Sequence, residues 1–277
     1  MNRRRYLALL GAGIGLPAGC VGRSADEPST PSRETTTSSS DGRRVGMDET
    51  VEVGDRRVTV GSPRVRKAVT TLGVHEPRVL AEAGQFVVAD VRVDGSTPDR
   101  LDDVALRSSV GGTPLPDGDP LPALDEGGFA FPFPAERHET AAVRWATDER
   151  AVSWGLPATT RDALAREPRF SVEELAVPSR DGRLVLELTV ANDGERDGRF
   201  LAEVSMEAFS GREVVEFSVP VGASRRYSGR AEKMLLYFEN NGGGTLTLQY
   251  PGPDGMRGRE RTVDVPEPTD GANTPPP

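Results

Sequence analysis

The chain has 277 residues and a mass of 29.7 kDa, enough for one large domain or two of about 100 residues each. Hydrophobic residues make up 36% and 31 glycines add small apolar positions, so a packed core is available and wholesale disorder is ruled out. With 34 basic and 43 acidic residues the net charge is −9, which argues against a nucleic-acid partner needing a broad cationic face. A single cysteine excludes internal disulfides and Cys-based zinc centres. Two histidines leave little for metal or general-base chemistry, and no cofactor is expected.

The N-terminus carries the most specific signal. Arg3, Arg4 and Arg5 precede Tyr6 and an apolar stretch, Leu7 to Gly19, that ends at the sole cysteine, Cys20. Thirteen residues are too few to span a hydrocarbon layer of about 30 Å at about 1.5 Å per helical residue, so the stretch reads as a secretory signal peptide over residues 1–19. Arg3-Arg4-x-Tyr6-Leu7 resembles a twin-arginine export signal, which implies transport of an already folded protein. Ala18-Gly19-Cys20 resembles the end of a lipobox, which implies lipidation of Cys20; Pro17 stands where that pattern prefers an aliphatic residue. A cysteine standing by chance after an ordinary signal is the alternative. No later segment approaches 18 consecutive apolar residues.

Lys67 and Lys233 are the only lysines, against 32 arginines, and Ile14 is the only isoleucine. Loss of the three arginines in residues 1–19 takes the net charge from −9 to −12. An acidic, lysine-poor exported lipoprotein resembles the secreted proteins of salt-loving archaea, whose carboxylates hold water and ions while molar salt screens their repulsion to about 3 Å. A GC-rich genome would bias composition the same way.

Residues 20–49 read as a disordered tether: nine of the twelve residues from Ser29 to Ser40 are Ser or Thr. Such a tether has an r.m.s. reach on the order of 30 Å. Residues 50–157 then show period-two patterning. Arg56–Val60, Arg64–Thr71, Arg78–Ala81, Phe86–Val93, Val104–Val110, Thr140–Ala146 and Ala151–Leu156 are expected strands. Thr147-Asp148-Glu149 is the expected turn of a hairpin that places Trp145 and Trp154 on its apolar face. Thr160 to Glu167 is the one helical phrase, a joint over 158–168 that Pro168 stops. Residues 169–265 give seven more expected strands, Phe170–Ala176, Leu184–Ala191, Gly198–Phe209, Val214–Val219, Lys233–Phe238, Thr245–Tyr250 and Glu260–Val265. The tail, 266–277, has no apolar run and is expected to be disordered. The fold class expected is all-β, two tandem immunoglobulin-like β-sandwiches after a signal peptide and a linker.

Leu188–Val204, with Val190-x-Asn192-x-Gly194, and Phe217–Gly229 resemble immunoglobulin-like CARDB-type modules of archaeal and bacterial surface proteins. Gly84–Pro98 is similar to DUF4352-type immunoglobulin-like domains of lipoproteins, with Asp94 where that family usually has Asn. These resemblances imply a fold and bring no catalytic residues.

Several constellations test for chemistry. Asp193 to Gly198 begins like a calcium loop, but its twelfth position is Val204 and its context is strand–turn–strand, so a solvated hairpin loop is the reading. Asp99, Asp102 and Asp103 read as a charged loop, with an interdomain calcium site as the alternative. His75 and His138 have no partner at helical spacing. Gly111-Gly112 and Gly242-Gly243-Gly244 precede no helix and read as loops. Arg225, Arg226, Tyr227, Arg230 and Lys233 form the densest basic stretch, read as a solvated loop, with contact to an acidic envelope polymer or lipid headgroups as the functional option. Trp145 and Trp154 read as core residues. With no catalytic set in view, the sequence points to a non-enzymatic, lipid-anchored protein on the extracytoplasmic face of the plasma membrane. Its role would be structural, adhesive or protein-binding, with other envelope proteins or a surface polymer as partners. The alternative is a ligand-capture lipoprotein beside a transporter, which would use an interdomain cleft lined by Trp145, Arg225 and Arg226.

Overall fold

Alternating apolar side chains in the first half of the chain build two facing sheets. The computed structural model describes residues 42–73, 76–101, 104–207, 209–229, 231–256 and 259–267. Strands β1 (Arg43–Val45), β2 (Thr50–Val53), β3 (Arg56–Leu72), β4 (Pro77–Val93), β5 (Leu106–Val110), β6 (Thr113–Pro114), β7 (Leu121–Ala123), β8 (Gly128–Phe133), β9 (Ala141–Ala146) and β10 (Ala151–Gly155) lead to helix α1 (Ala158–Leu164). One sheet has the order β2-β3-β4-β8-β7 and the other β1-β10-β9-β5-β6. Val60, Val91 and Phe131 from the first meet Val143, Trp145 and Trp154 from the second in one core. The tryptophan hairpin is as expected: Trp145 lies opposite Val152 and Trp154 opposite Val143. Its turn is closed by the Thr147 amide donating to the Arg150 carbonyl. Trp154 is fully buried, and its indole N–H finds the Glu49 carbonyl at 2.9 Å, which satisfies the one polar atom of the side chain.

The second half repeats the arrangement with β11 (Phe170–Ala176), β12 (Ser179–Arg180), β13 (Arg183–Leu184), β14 (Leu186–Asn192), β15 (Gly198–Met206), β16 (Phe209–Val219), β17 (Ser224–Gly229), helix α2 (Glu232–Asn241), β18 (Gly244–Gln249) and β19 (Glu260–Val265). Sheet β11-β14-β17 faces sheet β16-β15-β18-β19, and β12 pairs with β13 in a small hairpin. Leu186, Leu188 and Val190 alternate inward against Phe200, Val204, Leu246 and Leu248. The Phe200 ring meets Phe170 edge-on at 5.5 Å and Tyr250 at 5.8 Å. The protein is therefore all-β and of the sandwich type, and the described residues from 42 onward belong to one compact unit.

Four local expectations are corrected. Lys233–Phe238 is helical, not a strand: Met234, Leu235 and Phe238 are buried at positions i, i+1 and i+4, which one helix face supplies and a pleated strand does not. Gly242, at φ 86°, ends that helix. The four short strands expected before residue 93 are two long ones, because Ser62-Pro63 and Glu82–Gly84 interrupt the ladder as bulges and do not end it. The tether stops short of residue 49, since Arg43 to Val45 pair in parallel with Val152 to Trp154 and Val45 joins the core. Ser224–Gly229 is a strand, not a solvated loop: it pairs with β14, and the Tyr227 ring stacks on Phe217 at 5.3 Å. Strand β8 had no expected counterpart. Its six residues are all buried, so it lacks the alternation that marks a half-exposed strand.

Candidate functional site

The long β3–β4 hairpin runs past its own sandwich and meets the second one, and clusters of charged groups gather there. Ala68, Val79 and Ala81 of the hairpin pack on Leu201 of β15, which is 1% exposed. Burying a leucine to that extent contributes about 1.5–3 kcal/mol. Around this apolar contact stand three polar clusters.

Lys67 occupies the bulge between the Arg66–Phe86 and Ala68–Ala81 pairs, and its side chain is 4% exposed. The ammonium donates to the Gly84 carbonyl at 3.1 Å, the Glu82 carbonyl at 3.2 Å and the Glu167 carboxylate at 2.9 Å, with the Pro253 carbonyl at 3.5 Å. It thus joins the hairpin, the segment after α1 and a turn of the second sandwich. That turn approaches so closely that a Cβ on Gly255, at φ 91°, would lie 2.6 Å from the Ala81 carbonyl oxygen. Gln85, 1% exposed, donates to the Leu164 carbonyl at 2.7 Å, closing the end of α1, and its oxygen accepts from Arg196 at 2.6 Å.

The second cluster centres on Glu126. Arg66 Nε lies 2.5 Å from it, and Arg64 Nε and Arg199 Nη1 each lie 3.0 Å away. Burial alone would raise the Glu126 pKa, but the hydrogen bond from Arg66 and the charges of Arg66, Arg199 and Arg64 prevail and hold it below the ordinary glutamate value. Arg199 also pairs with Asp125 and Glu216, and these raise its pKa against burial. In the third cluster Glu203, with a side chain 2% exposed, accepts from the Val79 amide at 2.8 Å, Arg78 Nε at 3.0 Å and Arg212 Nη1 at 2.6 Å.

A cleft of about 290 Å³ opens beside these groups, lined in part by Arg66, Lys67, Arg196, Arg199 and Pro220. Arg66, Lys67 and Arg199 are each held by carboxylates. Among the described residues Arg196 bonds only to neutral oxygens, and burial foremost, then the charge of Arg66, lowers its pKa to about 10. It remains a cation at neutral pH. An arrangement that answers its charges internally holds surfaces together; three of its four cations already have anions.

The chain matches no family model, no curated protein and no solved structure.

The sequence-derived candidates fall elsewhere. Arg3, Arg4, Tyr6, Leu7 and Cys20 lie outside the described residues, as do His75, Asp102, Asp103 and Arg230. Asp99 is exposed. Among the described residues no group of three or more His, Cys, Asp or Glu side chains could hold a metal, and no helix is long and apolar enough to cross a membrane. His138 is buried with Nε2 3.3 Å from the Pro134 carbonyl oxygen. Trp145 belongs to the first core, while Arg225 and Arg226 lie on β17 of the second sandwich, and Arg226 pairs with Glu187 at 2.5 Å. These three residues do not line a common cleft. Asp193 to Gly198 is a hairpin loop organised by the fully buried Asn192. Its oxygen accepts from Arg169 N and Gly194 N, and its amide donates to the Arg196 and Val219 carbonyls. That explains an Asn at the centre of the Val-x-Asn-x-Gly pattern: one side chain supplies all four bonds. Sequence reasoning missed Lys67, Glu126, Arg196 and Glu203. The one available signal was Lys67, a lysine placed among apolar strand residues in a chain that otherwise uses arginine.

Proposed function

We propose that the protein is a non-enzymatic, lipid-anchored component of the cell envelope that holds two immunoglobulin-like sandwiches as one stiff unit. It would serve a structural, adhesive or protein-binding role on the extracytoplasmic face. The observation that carries this reading is the junction: Lys67, Glu126 and Glu203 tie the two halves with buried, charge-assisted bonds, as a spacer that must keep its shape requires. The sequence contributes the rest, namely an export signal at Arg3, Arg4, Tyr6 and Leu7, a lipidation site at Cys20 and a Ser/Thr-rich tether.

Mass spectrometry of the membrane fraction tests the anchor. A mature chain starting at Cys20 and carrying added lipid mass is expected, and an unmodified Cys20 overturns it. External protease should remove residues 42–267 from intact cells; full protection would place the protein elsewhere. For a chain of net −12 after processing, stability should rise from low to molar salt, and a melting temperature indifferent to salt would defeat the halophilic reading.

A further inference from the structure

The outer face of the β1-β10-β9-β5 sheet carries a row of side chains that the core residues leave pointing away from Val143 and Trp154. Register places Arg44 opposite Ser153, Ser153 opposite Arg144, and Arg144 opposite Arg107. Neighbouring strands lie about 4.8 Å apart, so the Arg44 and Arg144 backbones are about 10 Å apart with a serine between them. Arg107 is answered by Asp119 at 2.8 Å. Among the described residues, neither Arg44 nor Arg144 has a carboxylate within ion-pair distance. Arg144 Nη1 donates to the Gly112 carbonyl at 2.7 Å, which fixes the guanidinium, while its Nε is buried and finds no acceptor in the protein. Arg44 lies across Gly155, where a Cβ would come 3.3 Å from its Nε.

Between the two arginines is a cavity of about 230 Å³, lined also by Ser109, Ser153, Thr140 and the Gly111-Gly112 turn, and among the described residues no acidic side chain lines it. Both glycines have positive φ, 60° and 81°, so the turn brings bare backbone to the rim. Two guanidinium groups with no carboxylate partner among the described residues, one with a shielded and unused donor, stand beside hydroxyls and offer the donors that an acceptor-rich anion uses. We propose that this cavity binds a compact tetrahedral oxyanion, a phosphate or sulfate group, between Arg44 and Arg144. The volume admits such a group with part of whatever carries it. The site is separate from the junction and goes beyond the anchored-support reading, so either can fail without the other.

The test uses the full chain with Cys20→Ser, titrated calorimetrically with inorganic phosphate and with sulfate, ionic strength being held constant with sodium chloride. Saturable binding is expected. It should weaken roughly tenfold or more in Arg44→Gln and Arg144→Gln, as loss of a charged donor implies, and stay unchanged in Arg107→Gln. Sedimentation with phosphatidylglycerol and with phosphatidylcholine vesicles separates the sources. Retention by the first alone, lost in Arg44→Gln and displaced by free phosphate, supports a lipid headgroup as carrier. Phosphate binding without such retention supports a soluble oxyanion. Heat that does not saturate, or binding equal in Arg44→Gln and Arg107→Gln, overturns the site.

Discussion

The junction and the outer face of the first sandwich use the same residue type in opposite ways. At the junction Arg64, Arg66, Arg78, Arg199 and Arg212 all meet carboxylates, and Arg196 is the exception, bonding to neutral oxygens. On the outer sheet Arg44 and Arg144 meet none among the described residues. Arginine answered within the chain stabilises the fold, whereas a buried donor without an acceptor, such as Arg144 Nε, costs stability. The two regions should therefore respond in opposite senses to loss of charge.

The largest effect is expected at Glu203. Glu203→Ala removes the acceptor for the Val79 amide and for two guanidinium groups at a site 2% exposed. Arg78 and Arg212 can turn partly to water, which limits the loss to about 2–3 kcal/mol in chemical denaturation. A loss under about 0.5 kcal/mol would show that the cluster does not hold the halves together. Lys67→Arg comes next. The ammonium is compact and sits among carbonyls, whereas a planar guanidinium is larger and needs a fork of acceptors, so about 2 kcal/mol should be lost despite the retained charge. Equal stability would mean that the pocket has room the geometry does not suggest.

Acid should act more weakly and in a defined direction. The folded-state pKa of Glu126 lies below its ordinary value of 4.5, so the unfolded chain binds the proton first as pH falls. The contribution of Glu126 is therefore fully present above about pH 4.5 and is lost as pH drops through the folded-state value. Glu126→Gln should flatten the acid limb of a stability–pH curve, and an unchanged limb would remove Glu126 from the account.

Much of the fold could be read from side-chain alternation, and little of the junction could. Val143, Trp145, Val152 and Trp154 announce a hairpin with one apolar face because each choice is local. Met234 to Phe238 fit helix and strand equally in five consecutive apolar residues, and only packing against the second core decides between them. Ser62-Pro63 looks like a strand end and is a bulge, because bulges and turns draw on the same residues. Lys67 and Glu167 are a hundred positions apart, and Arg78 and Glu203 are 125 apart, so no local pattern pairs them. The Arg44–Ser153–Arg144 row is hidden for the same reason: alternation says which face each residue occupies, and register alone says which residues stand side by side.

The smallest effect separates the two regions most sharply. Arg144→Met keeps a long unbranched stem at the same position and removes a buried Nε that has no acceptor. Leaving such a donor unpaired costs about 1–3 kcal/mol, so its removal offsets the lost bond to the Gly112 carbonyl, which contributes about 1 kcal/mol. The melting temperature should stay level or rise slightly, and Arg44→Gln on the exposed edge strand should change stability by less than about 0.5 kcal/mol. A fall of several degrees in Arg144→Met would make that arginine a structural member like those of the junction. It would also move the oxyanion site from a ligand-binding device to an incidental gap in the surface, because a cation retained for the fold needs no ligand to explain it.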